Sequence, residues 1–284
     1  MVYNVNREED YSNTHIIFIG RLCKSEKVAI SQPKQIITPT VTIVPTITPT
    51  PKPVTFADLN QKYGPCVKLP VLMFHHIESS ADAKLNHQTS LAVSPDYFAK
   101  DMEYLKNHGY TTIFPKDLSN FFDNGVGLPT KPVMITLDDA YEDNYVNAFP
   151  ILKQYGFRAT IFTPTGLVDN PDYLSWSQIQ EMSSSGLVYF ANHTWSHHSS
   201  AGTLAVQEKE ISLADGQLAE KGQNPDKVFA YPYGSPSVDA EKILTKYGYK
   251  LAFTTVPGNI MCKGKRFTLP RTRMGNAELN HFGL

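Results

Sequence analysis

The stretch "YGFRATIF" (residues 155–162) joins a glycine to a run of apolar and β-favouring residues. Glycine accepts the left-handed backbone conformation that ends a helix, so Gly156 reads as a helix stop and the residues after it as a strand. The same signature recurs in "HGYTTI" (108–113), "SGLVYFA" (185–191) and "YGYKLAF" (247–253). Between the stops the chain is amphipathic at helical spacing. Phe98, Met102 and Leu105 follow a Ser94-Pro95 start, and Ser175 with Gln178 three residues on forms a capping box ahead of Trp176 to Met182. Trp176 is expected in the core. Pro150 lacks a backbone donor and clashes within a helix, which predicts a kink or a late start before Gly156.

Strands are predicted at about 71–75, 111–113, 133–137, 159–163, 188–191, 228–231 and 251–254. Several are near-continuous apolar runs, the pattern of strands covered on both faces. Strands alternating with helices through right-handed crossovers make a parallel sheet, open or closed. Seven such units favour the closed form, so the fold class is α/β with a distorted seven-stranded parallel (β/α) barrel.

The chain has 284 residues, 41% of them hydrophobic, enough for one large domain or two small ones. Its 26 basic and 27 acidic residues give a formal charge of −1, which offers no general attraction to nucleic acid or an anionic membrane. No run approaches the roughly 20 apolar residues of a membrane span. "HIIFIG" (15–20) is short for a signal-peptide core and follows the acidic "REED", so export is not signalled by this N-terminus. From Thr38 to Thr55 the chain reads "TPTVTIVPTITPTPKPVT", an extended and semi-rigid spacer by composition. The expected organisation is an N-terminal tail (1–37) that is poorly ordered, the Thr/Pro-rich linker (38–55) and one catalytic domain (56–284). The three cysteines, Cys23, Cys66 and Cys262, match no zinc or redox spacing. A Cys66–Cys262 bridge is an open alternative; buried free thiols are the expectation.

Polar residues fall at the C-terminal ends of the predicted strands. "VLMFHHI" ends near His75 and His76, "VMITLDD" at Asp138 and Asp139, "VYFANHTWSHH" at His193 with His197 four further on, and "VFAYPYG" at Tyr231 to Gly234. In a parallel barrel those ends share one mouth, where active sites are built. Two imidazoles and one carboxylate suit Zn²⁺ or a similar first-row divalent ion and leave a position open for water. An isolated His-x-x-x-His pair would more often be a surface helix face; convergence with the two aspartates argues for the metal. One aspartate can then bind the ion while its neighbour accepts a proton from water, with His75 placed to protonate a leaving amine.

The motifs "TLDDAYEDN", "HTWSHH" and "AYPYG" resemble those of the polysaccharide deacetylase family, the NodB-homology or carbohydrate esterase family 4 type. "PVLMFHHI", "NAFPILKQYGFRATIF" and "LPRTRM" are similar to its circularly shifted subgroup of poly-N-acetylglucosamine deacetylases, with coverage from about Leu69 to the C-terminus. The resemblance implies Asp138 as catalytic base, Asp139, His193 and His197 as ligands of one divalent ion (Zn, with Co or Ni as alternatives), His75 as general acid and the Tyr233 backbone N–H as oxyanion donor. His76 is then a structural neighbour. Trp195, Arg271 and Pro232 are expected to touch the substrate. The chain departs from the family at Leu137 (usually Phe), Ala140 (usually Gly) and Ala230 (often Arg). Ala140 would be strained if its position needs a positive φ, and the partner of Asp138 must come from elsewhere, with Arg271 the candidate. The expected activity is metal-dependent N-deacetylation of an N-acetylglucosamine-containing polysaccharide by an extracellular or cell-wall-associated monomer. Acetylxylan esterase activity and a non-catalytic wall-binding module are the rivals.

Overall fold

The structure, a computed structural model, describes residues 53–199 and 202–284. The expected tail (1–37), Cys23 and all but the last three residues of the Thr/Pro spacer lie outside them. In chain order the strands are β1 (Cys66–Lys68), β2 (Val71–Phe74), β3 (His76–Ile77), β4 (Ala92–Val93), β5 (Thr111–Thr112) and β6 (Pro132–Asp138). They continue with β7 (Ala159–Thr163), β8 (Val188–Asn192), β9 (Val228–Ala230), β10 (Leu251–Phe253), β11 (Ile260–Cys262) and β12 (Thr272–Arg273).

Seven strands pair in the order β10-β9-β8-β7-β6-β2-β12, every neighbour parallel, and curl into the distorted barrel the sequence predicts. Their membership differs in one place. Thr111–Thr112 pairs only with Pro132 and Val133, at the start of β6 and away from the mouth. The seventh barrel strand is instead β12, which joins Leu72 and Met73 of β2. Just before it, Leu269 bridges to Phe253 of β10, so the segment 269–273 touches both edges of the curled sheet. "LPRTR" hides this strand because a proline and two arginines break the apolar pattern by which strands are recognised.

Side chains alternate along a strand, and β6 separates two layers by that rule. Val133, Ile135 and Leu137 face outward onto Phe98, Met102 and Leu105 of helix Pro95–Asn107 and onto Ile179 and Met182 of helix Trp176–Ser184. Met134 packs inside the barrel with Val71, Phe162, Ala191, Val228 and Phe253. Thr136 and Asp138 share the inward face with Met134, and both are buried. The lower barrel is therefore apolar, and its polar groups begin at the C-terminal ends of the strands.

The local signals predicted from sequence are present. Gly109, Gly156, Gly186 and Gly248 take φ values of 70°, 67°, 73° and 76°. The Ser175 hydroxyl accepts from the Gln178 N–H while the Gln178 side chain accepts from the Ser175 N–H. Pro150 falls in the first turn of helix Phe149–Tyr155, behind a π-helical turn at Asn144–Ala148, where its missing donor leaves no helical bond unmade. Trp176 is only half-buried, packed at the edge of the outer core. No helix of the described residues is long and apolar enough to cross a membrane.

The cysteines correct the expectation of free thiols. Strands β1 and β11 pair antiparallel with Cys66 opposite Cys262, and the two are joined in a disulfide. A separation of 196 residues conceals in the sequence what the ladder makes direct.

Candidate active site

Asp138 ends β6, and Asp139 turns the chain out of it with φ 75°. Ala140 follows at φ 56°, so the position at which the resemblance led one to expect glycine does adopt the left-handed conformation. Ala140 is buried, and its carbonyl accepts from the Leu174 N–H. The turn thus keeps its shape against the Cβ contact, at a cost of about 1–2 kcal/mol. Thr194 (φ 66°), His197 (φ 58°) and Tyr233 (φ 60°) are also left-handed. Clustering of such conformations in non-glycine residues is characteristic of functional sites.

His193 follows β8 directly and donates from Nδ1 to the Ala230 carbonyl at 2.8 Å, which aims Nε2 at the mouth. His197 lies in the same loop, which is not helical. Both Nε2 atoms converge on Asp139 Oδ1, His193 at 3.3 Å and His197 at 3.1 Å. Asp139 Oδ1 is nonetheless buried without a hydrogen bond of acceptable geometry. A carboxylate oxygen and two imidazole nitrogens thus converge on one point. The three residues offer ligand atoms within 4.8 Å of one another, a donor set that fits a divalent cation. Burial acts to raise the Asp139 carboxyl, and the two imidazoles outweigh it, holding the group well below the usual carboxylate range.

Asp138 is placed by Arg271. The guanidinium donates two bonds to the carboxylate, Nη1 to Oδ1 at 2.6 Å and Nη2 to Oδ2 at 2.7 Å, and its Nε donates to the Thr254 carbonyl at 2.9 Å. Nη1 also reaches Thr136 Oγ1 at 3.2 Å. Burial acts to raise the Asp138 carboxyl; the charge and hydrogen bonds of Arg271 outweigh it and leave the group below its ordinary value. Arg271 is 0% exposed. It therefore orients Asp138 from inside the barrel, which corrects the expectation that it touches substrate. The arginine that the resemblance led one to expect at position 230 is supplied by the segment just before β12.

His75 Nε2 stands 4.0 Å from Asp138 Oδ2. Burial lowers its pKa, opposed by the Asp138 and Asp139 carboxylates. Asn144 Nδ2 donates to the His75 carbonyl at 2.8 Å and holds the backbone there. Tyr233 is 69% exposed with its ring 4.8 Å from that of His197. It occupies the middle of the 3₁₀ turn Pro232–Gly234, where the opening N–H groups have no partner within the turn. Gly234 is required there: φ is 76°, and an added Cβ would lie 1.9 Å from Thr255 Oγ1. Pro232 is buried and shapes this turn instead of meeting substrate, a second correction. Trp195 is half-buried, and Gly166 approaches its ring so closely that a Cβ would sit 2.6 Å from Nε1.

Sequence reasoning missed the residues that brace the ligand loop. Glu210 accepts from the Ser196 N–H at 2.8 Å and from its hydroxyl at 2.9 Å, pinning the loop between the two histidines. Asn192 accepts from the Thr194 N–H at 2.8 Å and donates to the Tyr249 hydroxyl at 2.6 Å. A signal for Glu210 existed: it shares the buried stripe of helix Leu204–Glu220 with Gln207, Ile211, Ala214 and Leu218. A carboxylate on such a stripe needs a partner.

Comparison with known proteins bears on the family. Residues 125–252 match the family model described as polysaccharide deacetylase. A Bacillus subtilis (strain 168) protein, YxkH, described as a polysaccharide deacetylase, is 32% identical over 209 residues, covering 73% of this chain and 71% of its own length. The poly-beta-1,6-N-acetyl-D-glucosamine N-deacetylase of Staphylococcus aureus (strain MRSA252) is 28% identical over 204 residues, 67% of this chain and 70% of its own. Among solved structures, the Streptococcus pyogenes deacetylase PplD in complex with acetate superposes with a TM-score of 0.68 at 30% identity, covering 73% of this chain and 92% of that one.

Proposed function

The chain belongs to the polysaccharide deacetylase family, and on that premise we propose that it removes N-acetyl groups from an N-acetylglucosamine-containing polysaccharide, releasing acetate, with one divalent cation bound. One observation carries this reading: Asp139, His193 and His197 meet within ligand distance beside the Asp138–Arg271 pair, at the mouth of the barrel. The similar Staphylococcus aureus protein is named as a poly-beta-1,6-N-acetyl-D-glucosamine N-deacetylase, and the PplD structure carries acetate, the acid such a reaction frees. The first supports an amide of an N-acetyl sugar as the bond cleaved, and the second supports release of an acetyl group.

Asp139, His193 and His197 would hold the cation, with zinc the best match to two imidazoles and a carboxylate and cobalt or nickel as alternatives. A bound cation lowers the pKa of water and polarises an acyl oxygen. Asp138, kept ionised by Arg271, accepts the proton of the attacking water. The N–H of Tyr233 donates to the oxygen that becomes negative as the carbonyl turns tetrahedral, an interaction worth about 3–4 kcal/mol in comparable sites. His75 then protonates the departing nitrogen. Its lowered pKa makes the imidazolium a stronger acid but a scarcer one at neutral pH, so this step should slow as pH rises. The half-buried Trp195 is assigned a place at the rim, where its ring can lie against a sugar. The Cys66–Cys262 disulfide supports a location in an oxidising compartment, outside the cytoplasm.

The test is acetate release from poly-β-1,6-N-acetylglucosamine, chitin, peptidoglycan and acetylxylan fragments with zinc, cobalt or nickel supplied. Asp138→Asn is the inactive control. His75→Ala should lose amide cleavage and keep ester cleavage, because an alkoxide leaves with less help than an amine. Glycan binding with no acetate released by the wild type under any of the three ions would refute the enzymatic reading. Release from acetylxylan alone would replace it with an esterase.

A further inference from the structure

A second cluster of ligand-type side chains lies outside the site described above. His76 points its Nδ1 at Asp143 Oδ2, 2.6 Å away, while its ring stacks on Tyr141 with centroids 3.5 Å apart and planes 17° from parallel. The other Asp143 oxygen accepts from the Ile77 N–H at 2.9 Å and from Asn144 Nδ2 at 2.8 Å. The carboxylate is thus fixed, the ring is fixed in plane with Nδ1 engaged, and Nε2 is the nitrogen left for another partner. That atom is buried without a partner in a residue only 4% exposed. Glu78 is 9% exposed, and its Oε1 is likewise buried with no partner. Burying two acceptors without a donor costs free energy unless something positive joins them.

Both residues line a cavity of about 550 Å³ that Asp82, Glu142, Asp143 and Asp172 also line, and its lining contains no lysine or arginine. His76, Glu78 and Asp143 each present a ligand atom within 4.8 Å of the others. A carboxylate holding the far nitrogen of a histidine is the usual support of a metal-binding imidazole. His193 has the same arrangement, with the Ala230 carbonyl in the supporting role.

We propose that His76 Nε2 and Glu78 Oε1, with Asp143 holding the imidazole, form a second divalent-cation site, separate from Asp139, His193 and His197. One imidazole with carboxylate oxygens in an open acidic cavity suits a zinc- or manganese-type ion that keeps water in its remaining positions. Bound there, the ion ties the segment after β2 (His76–Glu78) to the helix-opening residue Asp143. Tyr141 lies between, stacked on His76 and two residues from Asp139. The second ion would therefore brace the turn that carries the first without touching the reacting atoms.

The experiment is metal content and binding stoichiometry on the full chain, stripped and then titrated with zinc or manganese, read by calorimetry and by elemental analysis after gel filtration. The wild type should bind two equivalents. Glu78→Gln and His76→Gln, two near-isosteric changes, should each bind one, and His193→Ala should keep the equivalent at the second site. One equivalent in the wild type at saturation would overturn the proposal whether or not the variants fold. Two equivalents surviving in folded Glu78→Gln and His76→Gln would also overturn it. So would a thermal shift that these variants lose for glucosamine but not for either metal, since that marks the cavity as an ammonium subsite. Because Asp139, His193 and His197 stay intact in both glutamine variants, failure here is distinguishable from failure of the deacetylase reading.

Discussion

Replacing Arg271 by methionine tests the electrostatic core of the site. The two partners are 0% and 2% exposed, joined by bonds of 2.6 and 2.7 Å. Breaking a buried pair by removing one member costs about 3–5 kcal/mol, because the remaining charge is left without compensation. Asp138 can escape that cost only by taking a proton. At 1.36 kcal/mol per pKa unit, the same energy raises a carboxyl by roughly two to four units. In the wild type the folded Asp138 pKa lies below its ordinary value, so its contribution to stability is complete above about pH 4 and is lost as pH falls below that. In Arg271→Met the sign reverses: the folded pKa is raised, and stability falls as pH rises from about 4 through the new value. Urea unfolding should show a loss of about 3–5 kcal/mol at pH 8 and a smaller one at pH 5. Acetate release at pH 7 should drop by up to roughly tenfold, the fraction of Asp138 that the raised pKa leaves protonated, and recover as pH rises. The double variant Asp138→Asn/Arg271→Met should regain most of the stability, giving a coupling energy of at least about 2 kcal/mol. If Arg271→Met unfolds within about 1 kcal/mol of wild type at pH 8 and keeps its pH–rate profile, Arg271 does not hold the base.

Ala140→Gly relieves about 1–2 kcal/mol of left-handed strain but loses a buried methyl worth about 0.8 kcal/mol and adds chain entropy to the unfolded state of about 0.4–1 kcal/mol. The expected net is within about 1 kcal/mol of zero with activity unchanged; a several-fold gain in kcat would show that Ala140 distorts the site. Asp101 is buried on helix Pro95–Asn107, and burial pushes its carboxyl up to about 7. Its folded pKa is raised, so its cost to stability grows from about pH 4 to about 7, and Asp101→Asn should stabilise the protein by about 2–4 kcal/mol at pH 8 and little at pH 4 in thermal melts. Cys262→Ser opens a loop of 196 residues, for which chain entropy predicts a loss of up to about 5 kcal/mol. A melting temperature unchanged by this variant, and by reduction of the wild type, would show that the β1–β11 ladder holds without the bond.

Helix stops, capping boxes and the placement of His75, Asp138, Asp139, His193 and His197 at strand ends could be read directly from the chain, because each depends on residues within a few positions of one another. Glycine after a helix and polar residues after an apolar run are local statements of backbone and solvation chemistry. The tertiary structure decided what lies farther apart. Arg271 reaches Asp138 across 133 residues because the segment 269–273 spans the edges of the barrel, and a sequence does not say which edge a two-residue strand will join. Glu210 braces the loop between the histidines, and Cys66 meets Cys262, for the same reason. Thr111–Thr112 has the residues of a barrel strand but pairs only with the foot of β6, leaving its place to a segment whose buried arginine disguised it. Residue types state what a position can do chemically; closure of the sheet determines which charges are brought close enough to act on one another.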